Sequence, residues 1–246
     1  MQKVAIITGA SRGIGRTTAI EFAKNGFCVV MTYNKNEELA KEVKSQIEEL
    51  GQKCLCLKCD ISNEQDVKNV LDQTLSTFGS VDVLVNNAAI AIDTLFSDKT
   101  AENFKKVLDV NLVGTFLMSK YVGTFMFEKK AGKIINISST NGINTYYPMC
   151  LDYDASKAGV ISLTHNLAMQ FAPYVNVNAV APGFIATKSE VDEMDEEFIE
   201  MEKDKVFLKR VGTEEDVANV VLFLASDKSN FINSEVIRVD GGMYGS

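Results

Sequence analysis

The stretch "KVAIITGASRGIG", residues 3–15, decides the fold expected for this chain. The run "KVAIIT" (3–8) is rich in Val and Ile, which is typical of a buried strand, and it leads directly into a glycine-rich turn. Gly9 permits a tight turn, Gly13 lets the backbone approach a phosphate, and Gly15 allows a helix to pack closely on the strand. Because a helix N-terminus offers free N–H groups to anions, the stretch predicts a dinucleotide-binding turn.

Short apolar runs alternate with longer helical patterns along the rest of the chain. The runs predict seven strands, at residues 3–8, 27–33, 53–59, 81–86, 133–138, 175–180 and 235–240. Helical patterns lie between them, at residues 14–25, 36–50, 63–78, 100–127, 153–172 and 213–226. This alternation predicts an α/β fold: one Rossmann-like, doubly wound domain over residues 1–246, with a seven-stranded parallel sheet and helices on both faces.

The segment 187–205, "TKSEVDEMDEEFIEMEKDK", interrupts that alternation. It is acidic, and Met194, Phe198 and Met201 are spaced like the apolar stripe of a helix. One interpretation is a solvated surface helix. The other, which we favour, is a mobile lid, because the segment follows a predicted loop, "APGF", at the carboxyl end of a strand, where open α/β sheets bind ligands.

The composition limits the partners and the location of the protein. With 46% hydrophobic and 24% charged residues, the 246-residue chain is expected to be an ordinary globular protein. Its net charge of −8 argues against nucleic acid and anionic membranes as partners. No apolar run approaches the ~20 residues of a membrane span, and residues 1–10 do not resemble a signal peptide. The odd number of cysteines, five, favours reduced thiols and a cytoplasmic location.

Three of the cysteines are close together in "CLCLKC", residues 54–59. Cys-x-Cys-x-x-Cys can be interpreted as a set of metal ligands. Within a strand, however, Cys54 and Cys56 face one side and Cys59 faces the other. We therefore expect buried structural cysteines and no metal.

The end of the second predicted strand bears on the choice of dinucleotide. NAD sites usually have an acidic residue there, which holds the ribose 2′-hydroxyl. Here the expected position falls near Tyr33 or Asn34, neither of which is acidic, and Lys35 follows. Arg12 lies inside the glycine turn. Cations without an anion suit a 2′-phosphate, so we expect NADP(H) rather than NAD(H), unless Arg12 and Lys35 are simply solvent-facing charges.

A tyrosine and a lysine in "DYDASKAG", residues 152–159, are the candidate proton-transfer groups. The chain has one histidine, His165, for which we expect a structural or subunit-contact role. Tyr153 and Lys157 are four residues apart and share one face of a helix. A nearby ammonium lowers a phenol's pKa, so this tyrosine is predicted to act as an acid in carbonyl reduction or a base in alcohol oxidation. At helical spacing, such a pair can also be a plain surface contact.

Two further positions are candidates for the same site. The strand ending in "NISS" places Ser138 or Ser139 at the carboxyl edge of the sheet, where a hydroxyl can hydrogen-bond a substrate carbonyl. Asn111, in "DVNLVG", is an unfavourable residue inside a helical pattern. Its presence there is explained if its side chain or backbone holds a water molecule or positions the lysine. Otherwise the serine is a cap and the asparagine is solvent-exposed.

Taken together, these motifs resemble those of the short-chain dehydrogenase/reductase family. The chain is similar to that family over nearly its whole length, and within it most resembles the 3-oxoacyl-[acyl-carrier-protein] reductases. The matching segments are "TGASRGIG" (8–15), "CDIS" (59–62), "NNAA" (86–89), "DVNLVGTF" (109–116), "INISS" (135–139), "YDASKAG" (153–159), "NVNAVAPGFIAT" (176–187) and "RVDGGM" (238–243).

The resemblance implies a role for each matching position. Tyr153 would be the catalytic acid, Lys157 would lower its pKa and hold the nicotinamide ribose, and Ser139 would orient the substrate carbonyl. Asn111 would anchor a proton-relay water beside Lys157. The other implied cofactor contacts are the turn residues Gly9, Ser11, Arg12, Gly13, Ile14 and Gly15, with Asn34, Asp60, Ile61, Asn87, Ala88, Pro182, Gly183, Ile185 and Thr187. The resemblance also suggests a homotetramer, with helices 100–127 and 153–172 at one interface and the last strand at another.

The chain departs from the family pattern at three places. "NNAA" replaces the family's "NNAG", and the loop 140–152 is one residue longer than in similar reductases and is bulky and apolar. Similar reductases dock an acidic carrier protein through basic residues. Lys129 and Lys130 could fill one such place, but residues 167–174 hold no basic residue at the other.

The sequence is therefore compatible with three functions. The first is NADPH-dependent reduction of a 3-oxoacyl thioester, carried by an acyl-carrier protein. The second is the same chemistry on a free small carbonyl or alcohol, such as a sugar, polyol, steroid or ketone. The third is a non-catalytic dinucleotide-binding sensor, against which Ser139, Tyr153 and Lys157 argue.

Overall fold

Seven strands lie parallel in one sheet of the computed structural model, which describes residues 2–144, 146–186 and 188–243. They are short and mostly buried, because Val- and Ile-rich runs are covered on both faces. Their order across the sheet is β3-β2-β1-β4-β5-β6-β7. The bounds are β1 Val4–Ile7, β2 Cys28–Tyr33, β3 Cys54–Lys58, β4 Val83–Asn86, β5 Gly132–Ile137, β6 Val175–Pro182 and β7 Val236–Val239.

Helices cover both faces of this sheet, and an apolar core lies between the sheet and the helices on each face. On one face α1, α2 and α9 contribute Phe22, Val43 and Val221. On the other, α3 and α5 contribute Val67 and Val122. The helices are α1 Gly13–Lys24, α2 Glu37–Glu49, α3 Glu64–Phe78, α4 Ala101–Leu108, α5 Thr115–Lys129, α6 Leu151–Gln170, α7 Lys188–Glu193, α8 Glu196–Asp204 and α9 Glu214–Ala225. The predicted doubly wound α/β fold is confirmed.

Local sequence signals explain several helix ends. The Asn63 side chain accepts hydrogen bonds from the amides of Gln65 and Asp66 and so begins α3, which ends at Gly79 with a φ of +75°. Thr213 and Asp216 form a reciprocal capping box that begins α9. These caps explain why the predicted bounds of α3 and α9 differ from the structure by about one residue.

The predicted helix 100–127 is wrong as a single element. The structure divides it into α4, a π-helical segment at Asp109–Gly114, and α5. Asn111 lies inside the π-helical segment and is buried, so the unfavourable helix-interior residue marks a change in helix geometry. Four short 3₁₀ turns complete the described elements, at Phe96–Asp98, Thr140–Gly142, Pro148–Cys150 and Asp227–Ser229.

The acidic segment 187–205 contains two short helices, α7 and α8, and its Thr187 lies outside the described residues. The predicted apolar stripe is wrong in detail, because Met194 lies between the helices and Met201 is 48% exposed, whereas Ile199 is the buried residue of α8. The Phe198 ring packs edge-on against Phe184, with ring centroids 5.7 Å apart. This contact places α8 beside the loop that follows β6. Movement of the segment as a lid stays a prediction.

Candidate active site and cofactor cleft

The strand order reverses between β1 and β4, and the candidate site begins with the glycine turn at the carboxyl end of β1. Gly9 has a φ of +64°, and a Cβ placed on it would lie 2.8 Å from Ala88 Cα. A Cβ on Gly15 would lie 2.4 Å from both the Gly9 carbonyl oxygen and the Asn87 side-chain nitrogen. Two positions of the turn therefore require glycine because neighbouring chain comes too close for any side chain.

The turn is tied to the loop that follows β4 by a set of hydrogen bonds around Thr8. The Thr8 hydroxyl accepts from the amides of Asn87 (2.9 Å) and Ala88 (3.0 Å). In return, the Asn87 side chain donates to the carbonyls of Thr8 (2.9 Å) and Gly9 (3.1 Å). Thr8 was missing from the predicted site residues, although it is the first residue of the quoted turn.

An open cleft of about 580 Å³ lies against this turn. It is lined by eleven of the predicted cofactor residues: Gly9, Ser11, Arg12, Gly13, Ile14, Gly15, Asn34, Asp60, Ile61, Asn87 and Ala88. The structure adds lining residues that were not among the predicted cofactor contacts, namely Thr32, Asn36, Cys59, Ala89, Ile90 and Val110. The N-cap residue of α1, Arg12, makes no side-chain capping bond, so the free N–H groups of the first helical turn remain suited to a phosphate.

The end of the cleft at β2 carries positive charge. Arg12 and Lys35 line it and are exposed, and none of the ion pairs between described residues involves either of them. Tyr33 and Asn34 occupy the places where an acidic residue would hold a ribose 2′-hydroxyl. The glycine turn therefore fits a dinucleotide, and the charges at this end fit a 2′-phosphate.

The loop after β6 lies apart from this cleft. The Gly183 amide donates to the Val239 carbonyl (2.9 Å), and the Gly212 amide donates to the Phe184 carbonyl (3.1 Å), which pins the loop to β7 and to the chain before α9. Ile185 lines a separate cavity of about 500 Å³. The structure thus does not bring Pro182, Gly183 or Ile185 into the glycine-turn cleft.

Tyr153 and Lys157 lie in the first two turns of α6, and they share one face as predicted. The Lys157 Nζ atom is 5.4 Å from the centroid of the Tyr153 ring. It donates a hydrogen bond to the Ile137 carbonyl (2.7 Å) at the end of β5. Burial lowers the pKa of Lys157 to about 8. The lysine is therefore held at the carboxyl edge of the sheet by a backbone carbonyl.

The two serines after β5 have separate roles. Ser138 is buried, and its hydroxyl donates to the Lys157 carbonyl (2.9 Å), so it fastens β5 to α6. Ser139 instead lies beside Tyr153, and its side chain lowers the pKa of the phenol. Its oxygen also accepts from the Asn141 amide (3.2 Å). The structure thus selects Ser139 of the two candidates as the partner of the tyrosine.

The protonation of Tyr153 differs from the prediction. Burial raises the pKa of Tyr153, the Ser139 side chain lowers it by less, and the result is a pKa of about 12. The predicted lowering of the Tyr153 pKa is wrong for this structure, because Lys157 is not among the groups that lower it and desolvation of the phenol outweighs the other effects. The phenol therefore keeps its proton at neutral pH and can act as an acid.

Asn111 is buried within a network between three elements. Its side-chain oxygen accepts from the Ile90 amide (2.8 Å), and its side-chain nitrogen donates to the Ile90 carbonyl (2.9 Å) and the Ser156 hydroxyl (3.0 Å). Ser156 donates in turn to the Tyr153 carbonyl (2.7 Å). The asparagine thus fixes the π-helical segment, the loop after β4 and α6 relative to one another. Its role in holding a relay water stays a prediction.

Two predicted basic residues lie far from this site. Lys129 pairs with Asp82 at 2.7 Å, at the amino end of β4, and Lys130 lies 5.7 Å from the centroid of the Tyr174 ring. Both precede β5, so they lie at the sheet edge opposite Tyr153. The carrier-docking place suggested for them near the pocket is therefore wrong.

The remaining predicted residues have structural surroundings. Cys54 and Cys56 pack on one face of the sheet and Cys59 on the other, which confirms the predicted orientation. All five cysteines are free. The His165 Nδ1 atom lies 3.0 Å from the Ser234 hydroxyl oxygen, which ties α6 to the chain before β7. Within the described ranges, no group of three or more His, Cys, Asp or Glu residues is placed to hold a metal ion.

A search of the described helices for membrane-spanning segments finds none that is both long enough and apolar enough.

Comparisons with known proteins agree with this arrangement. A family model described as Enoyl-(Acyl carrier protein) reductase matches residues 9–244. A Staphylococcus epidermidis protein named 3-oxoacyl-[acyl-carrier-protein] reductase FabG is 39% identical, with 99% of this chain and 100% of that protein covered. A Synechocystis protein named 3-oxoacyl-[acyl-carrier-protein] reductase is 40% identical, with 98% and 96% covered.

A solved structure from Sinorhizobium meliloti, provisionally described as a short-chain alcohol dehydrogenase, has the same fold. It superposes with a TM-score of 0.91 at 31% identity, over 98% of this chain and 96% of that one. The match extends over the glycine turn, the Ser139–Tyr153–Lys157 group and the last strand alike. The family model, the curated relatives and this fold together show that the chain belongs to the short-chain dehydrogenase/reductase family and is an oxidoreductase that acts on CH–OH groups.

Proposed function

We propose that this protein reduces the keto group of a 3-oxoacyl thioester, carried by an acyl-carrier protein, to the 3-hydroxyl group, with NADPH as the electron donor. The observation that carries the proposal is the convergence of Ser139, Tyr153 and Lys157 at the carboxyl edge of the sheet. The names of the curated relatives support the substrate class.

The protein's own residues are assigned the following roles. When bound, the nicotinamide supplies a hydride to the carbonyl carbon. Ser139 donates a hydrogen bond to the carbonyl oxygen and orients it, and Tyr153 delivers its phenolic proton to that oxygen as the C=O bond becomes C–OH. Lys157 holds the nicotinamide ribose. Pro182, Gly183, Ile185 and Thr187, the last outside the described residues, are proposed to hold the nicotinamide amide.

The pKa of Tyr153 favours the reductive direction. A phenol with a pKa of about 12 is protonated at neutral pH, which is the form that an acid needs. The alkoxide that forms when hydride reaches a carbonyl is a far stronger base than a phenolate, so the proton transfer is downhill. Alcohol oxidation would instead require the phenolate, which burial makes scarce.

NADPH is proposed over NADH because of the charge at the end of β2. Arg12 and Lys35 are exposed cations in the cleft, and neither Tyr33 nor Asn34 is acidic. A 2′-phosphate would gain charge-assisted hydrogen bonds there, whereas a 2′-hydroxyl would lack the usual carboxylate partner.

A second candidate function is the same reduction of a free small carbonyl compound. It is favoured by the absence of basic residues from "LAMQFAPY" (167–174) and by the position of Lys129 and Lys130 at the opposite sheet edge. A net charge of −8 also opposes the approach of an acidic carrier.

Homotetramer formation and a cytoplasmic location are part of the proposal. Helices α5 and α6 expose Phe116 (42%) and Met169 (78%), and the π-helical segment exposes Val113 (40%). These apolar side chains suit a contact between copies of the chain, as expected for helices 100–127 and 153–172.

The test is an NADPH-oxidation assay with acetoacetyl thioesters of an acyl-carrier protein and of a small thiol, beside a panel of ketones and sugars. Acetoacetyl thioesters are expected to be reduced fastest. A 2-enoyl thioester is included, because reduction of its C=C bond alone would show that the keto group is not the target. Reduction of ketones without any thioester would favour the second candidate, and no turnover with any carbonyl would refute catalysis.

A further inference from the structure

Two carboxylates flank Tyr153 in the sequence, at Asp152 and Asp154. Residues two apart on a helix point in nearly opposite directions, about 200° around its axis. The two side chains therefore leave the first turn of α6 on different sides and reach different loops. None of the roles assigned so far uses either of them.

Asp152 reaches the loop that joins β4 to α4. Its two oxygens each lie 3.0 Å from the Nζ atom of Lys99, and the pair is buried, with side-chain exposures of 0% and 4%. Lys99 also donates to the Ile92 carbonyl. One Asp152 oxygen accepts from the Tyr153 amide at 3.0 Å. A single carboxylate thus joins the backbone of the tyrosine to residues 92–99.

Two more contacts hold the same loop on the helix start. The Thr94 amide donates to the Met149 carbonyl (3.1 Å), and the Cys150 thiol donates to an Asp93 oxygen (2.6 Å). The loop therefore meets the start of α6 at several points, and the Lys99–Asp152 pair is the buried, charged one.

Asp154 reaches the loop between β5 and α6, on the other side of the tyrosine. One oxygen accepts from the Asn141 side chain (2.7 Å), and the other accepts from the Tyr147 amide (3.0 Å). This loop begins at Ser139, the neighbour of Tyr153, and it carries the extra residue and the bulky apolar side chains. Asp154 therefore joins Asn141, near the serine end of this loop, to Tyr147.

We propose that Asp152 and Asp154 are positioning residues that fasten the loops at 92–99 and 139–150 to the helix turn carrying Tyr153. This inference rests on the proposed function, in which Tyr153 is the acid. The loop at 92–99 also meets the end of the loop at 139–150, at Met149 and Cys150, so together they fix where a substrate carbonyl stands relative to the phenol. A displacement of about 1 Å at such a centre can cost 100-fold in rate.

Carboxylates suit this task better than amides. Each aspartate accepts hydrogen bonds through both of its oxygens. An asparagine in its place would turn an NH₂ group toward a donor and lose one of the two contacts. The negative charge of Asp154 also raises the pKa of Tyr153, which helps keep the acid protonated.

The test compares three variants by steady-state kinetics and by hydrogen exchange. Asp154→Asn loosens the 139–150 loop. Lys99→Met combined with Asp152→Asn loosens the 92–99 loop without leaving an unpaired buried lysine, which could prevent folding. Asp82→Asn is the matched control, because Asp82 likewise pairs with a lysine and accepts a backbone amide, but at the opposite sheet edge.

In the expected result, kcat falls about 10- to 100-fold in the first two variants, KM changes by less than threefold, and NADPH affinity is unchanged. Hydrogen exchange accelerates in 139–150 for Asp154→Asn and in 92–99 for the double variant, and not the reverse. Asp82→Asn is expected to lose stability and keep its kcat. A fourth variant, Asp152→Asn alone, tests rescue: folding should be better in the double variant than in this one, while the kcat of the double variant stays low.

Two results would overturn the inference: a kcat within twofold of the wild type in both variants, or an equal loss in Asp82→Asn. Failure of the proposed function has a different signature, since the wild-type protein would then turn over no carbonyl compound at all.

Discussion

Gly15→Ala tests the geometry of the phosphate-binding turn. The new Cβ would lie 2.4 Å from the Gly9 carbonyl oxygen and from the Asn87 side-chain nitrogen, so both atoms must move by about 1 Å to reach ordinary contact. Overpacking of this kind costs about 1–3 kcal/mol. Alanine in place of glycine returns up to about 1 kcal/mol of helix propensity, because Gly15 lies in the first turn of α1.

The strain is expected to appear mainly in NADPH affinity. The free protein can relax by moving the Asn87 side chain and the Gly9 carbonyl away from the new Cβ, which breaks the two hydrogen bonds that hold Asn87 on the turn. A bound pyrophosphate would require the turn to close again. A net cost of about 1–2 kcal/mol therefore predicts NADPH binding that is about 5- to 30-fold weaker.

Fluorescence titration with NADPH measures this change, and thermal unfolding is followed alongside it. Gly123→Ala is the matched control: its Cβ would lie 2.5 Å from the Phe171 ring, in the core on the α5 face of the sheet. We expect that variant to lose stability and to keep its NADPH affinity. An unchanged NADPH affinity in Gly15→Ala would refute the close-approach argument.

Three more predictions follow from charge and burial. Replacing Arg12 and Lys35 together with alanine should weaken NADPH binding at least tenfold and change NADH binding less than twofold; equal loss for both cofactors in a titration would contradict the 2′-phosphate assignment. Because burial lowers the pKa of Lys157 to about 8, its ammonium form is lost as the pH rises through that value. Because Lys157 is proposed to hold the nicotinamide ribose as an ammonium, reduction should be full below about pH 8 and decline above it, and a pH–rate profile flat to pH 10 would show that the ammonium is not needed. Asp216 caps α9, and its Arg210 partner lowers its pKa to about 2, so Asp216→Ala should cost about 1 kcal/mol at pH 7. That stabilisation is complete above the ordinary pKa and is lost as the pH falls through about 2, and urea unfolding that shows no difference at pH 7 would contradict it.

The sequence predicted the sheet and the glycine turn because their signals are local. Short Val- and Ile-rich runs and positions that tolerate only glycine depend on a few neighbouring residues, as at Gly9 and Gly15. Eleven predicted residues from the turn and its neighbouring loops line one cleft. The topology explains this, because parallel strands bring their carboxyl ends to one edge of the sheet.

Features that depend on tertiary contacts were not predictable. The π-helical segment at 109–114 is stabilised by Asn111 contacts to Ile90 and Ser156, which are distant in sequence. The raised pKa of Tyr153 results from burial, which no spacing rule reveals. The place of Lys129 was predicted wrongly, because residues that precede a parallel strand lie at its amino end and not at the edge that holds Tyr153.

The central claim is that Tyr153 is the proton donor in carbonyl reduction. It is tested most directly by measuring NADPH oxidation with an acetoacetyl thioester for the wild type and for Tyr153→Phe, with the NADPH affinity of each determined in parallel. The account predicts turnover by the wild type, a loss of at least 100-fold in the variant, and NADPH affinities within threefold of each other. Turnover by Tyr153→Phe within tenfold of the wild type would contradict it.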